Sequence, residues 1–430
     1  MTTAPDWLPP LPHHWAVSQL GFRYEVQLGK MLNPDAVSGE DPAPYLRNTD
    51  VQWGRINTED LPRMSFDTRE RTKFALRPGD LLVCEGGDVG RAAIWNGELA
   101  ECFYQKALHR VRPWLNTEIP KFLYYVVAAA SWRGAFLAEG NRSTIVHLPA
   151  EKLRAMRFPF PPRAEQHAIA DFLDRKMAPI DALIAKKQHQ RELIEEERRA
   201  LITEWITLGP PQGRALAAAS PSHWSQSRLK HLVSFTTSGS RGWAEHYAEF
   251  GAVFFRIGNL RRGRITLDMS EVQHVVPPQG AEGQRTRVRN GDVLLSITAF
   301  IGSIAVVTGL DEEAYVSQHV ALVRPIPERA DPVWLGYALL SEVGQSQLQQ
   351  AMYGGTKVQL GLEDVRELRL PVPPLSEQIA IGTFLREQDE ALDGLEDRTS
   401  RQIDKLTEYR QALVAAAVTG QLDVAAQEAA

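Results

Sequence analysis

Apolar side chains return at three- and four-residue steps through two long stretches of this chain. In the first they are Ile169, Phe172, Leu173, Ile180, Leu183, Ile184, Leu193, Ile194, Leu201, Ile202 and Trp205. In the second they are Phe384, Leu385, Leu392, Leu395, Ile403, Leu406, Leu413 and Ala417. That spacing places one apolar stripe along a long amphipathic helix, with charged residues on the opposite face. Arg163 to Leu208 would measure about 70 Å if wholly helical, and about 45 Å from Pro179 onward, where a kink or break is expected. Helices of that length exceed what most single-domain cores need, so the two seams are expected to bury each other as a coiled coil. Gly209-Pro210-Pro211 and Thr419-Gly420 supply the stops.

Outside these stretches the rhythm shortens. Leu81-Leu82-Val83-Cys84, Ala92-Ala93-Ile94-Trp95 and Val293-Leu294-Leu295 read as strands bounded by glycine turns. Helical patterns occupy Ile119 to Leu137, with Phe122, Tyr125, Val126 and Ala129 on one face, and Pro332 to Leu348. Asp80 and Asp292 each follow a glycine at a strand start, where an aspartate is expected to bond its own backbone.

The chain also repeats itself. His14-Trp15 returns as His223-Trp224, and Gly54-Arg55-Ile56 as Gly263-Arg264-Ile265, both 209 positions later. Gly79-Asp80-Leu81-Leu82, Val111-Arg112-Pro113 and Arg157-Phe158-Pro159 return 212 positions later, as Gly291-Asp292-Val293-Leu294, Val323-Arg324-Pro325 and Arg369-Leu370-Pro371. Pro161-Pro162-Arg163-Ala164-Glu165-Gln166 and Pro373-Pro374-Leu375-Ser376-Glu377-Gln378 open the two long helices. A repeat of this length is a duplicated domain-plus-helix module, not a solenoid unit. Such a molecule offers two similar surfaces to a two-part target.

Composition and charge narrow the reading. Two cysteines, Cys84 and Cys102, in 430 residues exclude a disulfide framework and suit a reducing cytoplasm. No signal peptide is visible, and the most apolar stretch, Phe122 to Ala130, is too short to span a bilayer. The net charge is −5, yet the two helical segments and the last ten residues hold −7, leaving the globular halves at +2. Near-neutral domains of that kind can still present a basic face. The motifs of nucleotide hydrolysis, zinc proteases and serine hydrolases are missing, and the histidines show no metal-ligand spacing. Neither Asn33-Pro34-Asp35-Ala36 nor Asp41-Pro42-Ala43-Pro44 has the aromatic that an amino-methyltransferase tetrad requires.

The ordered double occurrence of Pro-Pro-x-x-Glu-Gln before a long helix, with the repeated Gly-Asp strand start, resembles the specificity subunit of type I restriction-modification systems. The resemblance runs from His14-Trp15 to Gly420. It implies an α+β architecture of two mixed α/β target recognition domains joined by two long antiparallel helices, with an internal pseudo-twofold repeat. It also implies a non-catalytic subunit that reads a bipartite sequence in double-stranded DNA. The implied partners are two methyltransferase subunits and restriction/translocase subunits. S-adenosylmethionine and ATP are expected only on those partners. The expected division is 1–160 and 221–372 for the recognition domains, 161–209 and 373–420 for the spacer helices, 210–220 for a linker, and 421–430 for a frayed tail. Two other classes of function stay open on the residues alone, a coiled-coil protein adaptor and an enzyme with unfamiliar motifs.

DNA reading needs cations for phosphates and donors and acceptors for base edges. Arg256, Asn259, Arg261, Arg262 and Arg264 form a basic run around a turn in the second half, matched by Arg47, Asn48 and Arg55 in the first. Arg285, Arg287 and Arg289 alternate, as on one face of a strand, and Arg69, Arg71 and Lys73 give a similar row. Two glycine-rich loops carry Asn141, Arg142, Ser143 and Thr144, and Thr356, Lys357 and Gln359. Gln105, Lys106, Gln318 and His319 precede the Val-Arg-Pro strands.

Overall fold

The computed structural model describes residues 5–32, 41–136, 147–210, 220–239, 241–277, 281–353 and 359–429. The chain divides into two compact units, Met1–Lys186 with Gln402–Ala430, and Lys187–Arg401.

In the first unit a four-stranded antiparallel sheet runs in the order Tyr24–Leu28, Leu108–Pro113, Leu81–Cys84, Ala92–Ile94. The run Leu81-Leu82-Val83-Cys84 is buried on both faces, and its two-residue period sorts the side chains between two cores. Leu81 and Val83 meet Phe122, Val126 and Ala129 of the helix Pro120–Trp132. Leu82 and Cys84 meet Tyr45, Phe103 and Tyr104 of a second sheet, whose order is Arg63–Ser65, Pro42–Leu46, Phe103–Tyr104. A separate ribbon pairs Ala16–Gln19 with Arg157–Phe160 just before the long helix.

The second unit repeats this plan. Its sheet order is Val233–Ser238, Val320–Pro325, Val293–Ser296, Ile304–Val306, and Ser225–Arg228 pairs with Arg369–Val372. Val293 and Leu295 face Trp334, Leu335 and Ala338, while Leu294 faces Val253, Phe255 and Val316. The matching helix is shorter than expected. Pro332–Leu340 ends at an extended Ser341, and a second helix, Glu342–Tyr353, follows.

The two long patterns are the helices Arg163–Leu208 and Leu375–Val418. The break expected at Pro179 does not occur. Its ring stands exposed, while Phe172, Leu173 and Met177 pin the turns before it in the core. In each unit the seam is buried both helix on helix and against the domain. In the first unit Ile169, Phe172 and Leu173 share a core with Val414, Ala417 and Val418 and with the domain's own helix. In the second, Ile202 and Ile206 share one with Ile381 and Leu385. Between these ends Leu183, Leu193 and Leu395 remain 41, 48 and 40% exposed.

Within the second unit the helices run antiparallel, as Arg191 bonds Glu396 at 3.2 Å and Arg198 bonds Asp393 at 2.8 Å. Within the first, Arg410 bonds Asp181 at 3.0 Å. Both members of that pair stand 212 positions from Arg198 and Asp393. The tail, expected to fray, is helical over Val424–Ala429 and buries Val424 in the first core. Most of the expected linker, residues 211–219, lies outside the described residues.

Candidate nucleic-acid interface

The repeated motifs turn out to hold one another. Glu165 accepts hydrogen bonds from His14 Nε2 and Trp15 Nε1, both at 3.0 Å. Glu377 accepts from His223 and Trp224 at 2.9 and 3.0 Å. The adjoining Gln166 and Gln378 are buried. Gln166 Oε1 accepts from the Ile119 amide at 3.0 Å, and Gln378 Oε1 from the Asp331 amide at 2.9 Å. Their Nε2 groups donate to the carbonyls of Pro161 and Pro373, both at 2.9 Å.

Asp80 and Asp292 do accept from their own turns, at the amides of Arg77 and Arg289, both 2.7 Å. Gly79 and Gly291 supply the left-handed φ of those turns, +92° and +88°. Each carboxylate is also held bidentately by the arginine of Val-Arg-Pro. Arg112 reaches Asp80 at 2.6 and 2.6 Å, and Arg324 reaches Asp292 at 2.7 and 2.7 Å. Sequence reasoning missed these pairs, although both partners belong to the repeat. Cys84 and Cys102 are buried, and burial pushes their thiols up to about 11 and about 12, away from reactivity.

On this shared frame the two units carry different loops. In the second, Arg256, Asn259 and His319 line one polar hollow of about 520 Å³, together with Tyr247, Asp268 and Glu271. Asn259 itself is buried and braces the turn. Its Oδ1 accepts from the Arg256 amide at 2.9 Å, and its Nδ2 donates to the carbonyls of Asp268 and Glu271 at 2.9 and 3.0 Å. His319 bonds Thr298 at 3.1 Å and Gln318 at 3.0 Å. Arg261 is exposed, and Arg262 lies over the ring of Phe300 at 4.5 Å. Arg264 points the other way. It is buried, and bonds Asp393 and Glu396 at 2.6 Å and Glu195 at 2.7 Å. Burial lowers it, but those carboxylates outweigh that and raise it above its usual value. Its counterpart Arg55 is exposed.

Arg285, Arg287 and Arg289 do not form a strand row. Arg285 ends the helix Ala281–Thr286 and donates to Thr237 and to the Ser238 carbonyl. Arg287 pairs loosely with Glu313 at 3.6 Å, and Arg287 and Arg289 flank the buried Val288. All three are nonetheless exposed.

In the first unit the expected row Arg69, Arg71 and Lys73 lies on a helix, Thr68–Phe74. The reason is a capping box. Asp67 accepts from the Glu70 amide at 2.8 Å, and Glu70 accepts from the Asp67 amide at 3.0 Å. Arg71 is committed to Asp41 and Glu101, leaving Arg69 and Lys73 on the exposed side. Arg47 holds Asp50 at 2.8 Å. Asn48 donates to the Gly86 carbonyl at 2.9 Å and accepts from Arg91 at 2.7 Å. Gln105 is partly buried, and Lys106 is exposed. Asn141, Arg142, Ser143, Thr144, Thr356 and Lys357 lie outside the described residues, while Gln359 is exposed.

Phe300, Thr298, Trp53, Asp88 and Arg91 escaped sequence reasoning. A Phe in a turn has no signature of its own, but their positions in the repeat would have flagged the loop. Among the described residues no three His, Cys, Asp or Glu side chains are placed to hold a metal ion. Nor is any helix there long and apolar enough to cross a membrane.

The model of the type I restriction modification DNA specificity domain matches residues 12–193 and 236–405. The chain belongs to this family. Members are specificity subunits, and their role is not catalytic. The EcoBI specificity subunit of Escherichia coli is 23% identical over 401 residues, 89% of this chain and 81% of the relative. The MjaVIII specificity subunit of Methanocaldococcus jannaschii is 22% identical over 290 residues, 65% of this chain and 66% of the relative. A solved chain described under complex assembly and conformational transition of the type I R-M system has a TM-score of 0.70 at 18% identity, covering 96% of this chain and all of that one. That likeness extends the type I fold over both units and both long helices.

Proposed function

We propose that this chain selects the DNA sequence on which a type I restriction-modification complex acts, reading a split target with one domain per half. Residues 1–160 and 221–372 are the two readers, 161–209 and 373–420 the spacer helices, and 210–220 the linker. The helices and adjoining segments hold two methyltransferase subunits, and through them restriction/translocase subunits, in the cytoplasm. S-adenosylmethionine and ATP belong to those partners. One observation carries the reading. The halves share the same scaffold contacts, Glu165 with Glu377 and Asp80–Arg112 with Asp292–Arg324, while the loops built on it differ in charge and shape. Two readers on one frame is what a target with two unlike halves requires.

The test uses the chain assembled with its methyltransferase subunits. Mapping methylated bases in a genome exposed to that complex should give one split sequence. Affinity for duplexes carrying it should fall steeply as salt rises, because phosphate contacts release counterions. A complex indifferent to DNA sequence at moderate salt overturns the proposal.

A further inference from the structure

Phe300 combines three features that core packing does not account for. Its side chain is 61% exposed. Its φ of +56° is one that bulky L-residues seldom adopt. And the turn around it is over-determined, because its carbonyl accepts from the hydroxyls of Ser296 at 2.6 Å and Ser303 at 3.1 Å. A strained turn braced in this way holds the ring outward in one place. Beside the ring is a hollow of about 530 Å³ whose lining is chiefly apolar, with Ile257, Leu260 and Ala299 next to Phe300. It shares Ile257 and Gly258 with the polar hollow of Arg256 and His319. Arg262 covers the ring, and Arg261 is exposed on the same turn. Cations that suit phosphates therefore stand beside a chiefly apolar patch.

We infer that the Phe300 hollow is a methyl-reading subsite, taking the C5 methyl group of one thymine in the half-site read by the second domain. The inference rests on the DNA-reading function proposed above and adds the chemistry of one of its contacts. Base edges in the major groove present donors and acceptors, and the thymine methyl is their largest apolar group, cytosine offering only a C5 hydrogen in its place. An apolar ring set against a purine edge would leave a polar atom dehydrated and unpaired, and against cytosine it would lose the methyl contact. The ring thus selects A·T over G·C at its position. The first domain is the internal contrast. At the matching positions stand Trp53 and Asp88, joined by a 3.1 Å hydrogen bond from Nε1 to the carboxylate. The aromatic there packs on Trp132 and is tied to a carboxylate, where Phe300 stands out by itself.

The experiment uses the chain in complex with its methyltransferase subunits, on duplexes carrying the split sequence obtained from the methylation map. Each thymine of the second half-site is replaced singly by deoxyuridine, which lacks only the methyl group. With the native chain, one replacement should weaken binding about three- to tenfold. F300A should bind the thymine and uracil duplexes alike, and F300L should keep part of the difference. Discrimination at the first half-site, unchanged in both variants, shows that the complex is intact. A second half-site without an A·T pair, no methyl-sensitive thymine in it, or sensitivity that survives in F300A overturns the inference while leaving the DNA-reading function standing. Loss of all sequence preference in the native complex overturns both.

Discussion

Arg264 sits between three carboxylates from the two long helices of its unit, Glu195, Asp393 and Glu396. It is the joint between the second domain and its helix pair. Removing it takes the shortest cation contact from all three, while Arg198 and Arg191 still face them, so R264M should destabilise the second unit by about 1–3 kcal/mol. Its counterpart Arg55 is exposed, and R55M should change stability little. Thermal melting of the two variants side by side checks this. The joint is also pH-sensitive. Burial acts to raise the Glu195 carboxyl, but hydrogen bonds and charge from Arg264, with Arg198 nearby, hold it below its ordinary value. A lowered folded value means that the unfolded chain takes up the proton more readily. The contribution to stability is therefore complete above the unfolded value of about 4.3 and is lost as pH falls through the folded one. E195Q should flatten the acid limb of the stability profile below about pH 5. An unchanged slope would mean that Glu195 is not coupled to folding.

At the scale of elements, the Pro-Pro-x-x-Glu-Gln segments fasten each long helix to its own domain. The glutamate takes the His-Trp pair from the domain's first strand region, and the glutamine takes the amide that opens a domain helix. Those amides, of Ile119 and Asp331, lose their acceptor when Gln166 or Gln378 is replaced. Q166L and Q378L should each cost about 1–3 kcal/mol, the penalty of a buried unpaired donor. Because the contacts are duplicated, the two variants should match within the scatter of a denaturant titration. A large difference would show that the halves do not share this fastening.

For the whole molecule, the proposed function makes the duplication a separation of what is read from where it is read. Exchanging residues 1–160 for the corresponding domain of a relative should change one half of the methylated sequence and leave the other half alone. Adding one heptad to each long helix, at the 186–187 and 401–402 junctions, lengthens each by about 10 Å. The spacer between the half-sites should then grow by about three base pairs, since one DNA turn of 10–10.5 base pairs occupies about 34 Å. The methylation map reads both outcomes. An unchanged spacer would separate the helices from the role of ruler.

The sequence by itself determined the parts of this protein that depend on periodicity and local turn chemistry. The long helices follow from apolar steps of three and four. The central strands follow from short aliphatic runs between glycine turns, and the internal repeat from motifs in a fixed order. It also brought the family within reach, because the repeat aligns almost end to end. What only the tertiary structure decided is which charged and polar side chains remain free. Arg264 and Arg261 look alike in the chain, yet one is consumed by three carboxylates and the other faces solvent. Asn259 looked like a base reader and braces a turn, while Phe300 looked like nothing and stands outside. Local pattern fixes the direction of a side chain within its own element. Its partner can stand far off in the chain, as Asp393 and Glu396 do from Arg264, and only folding brings the two together.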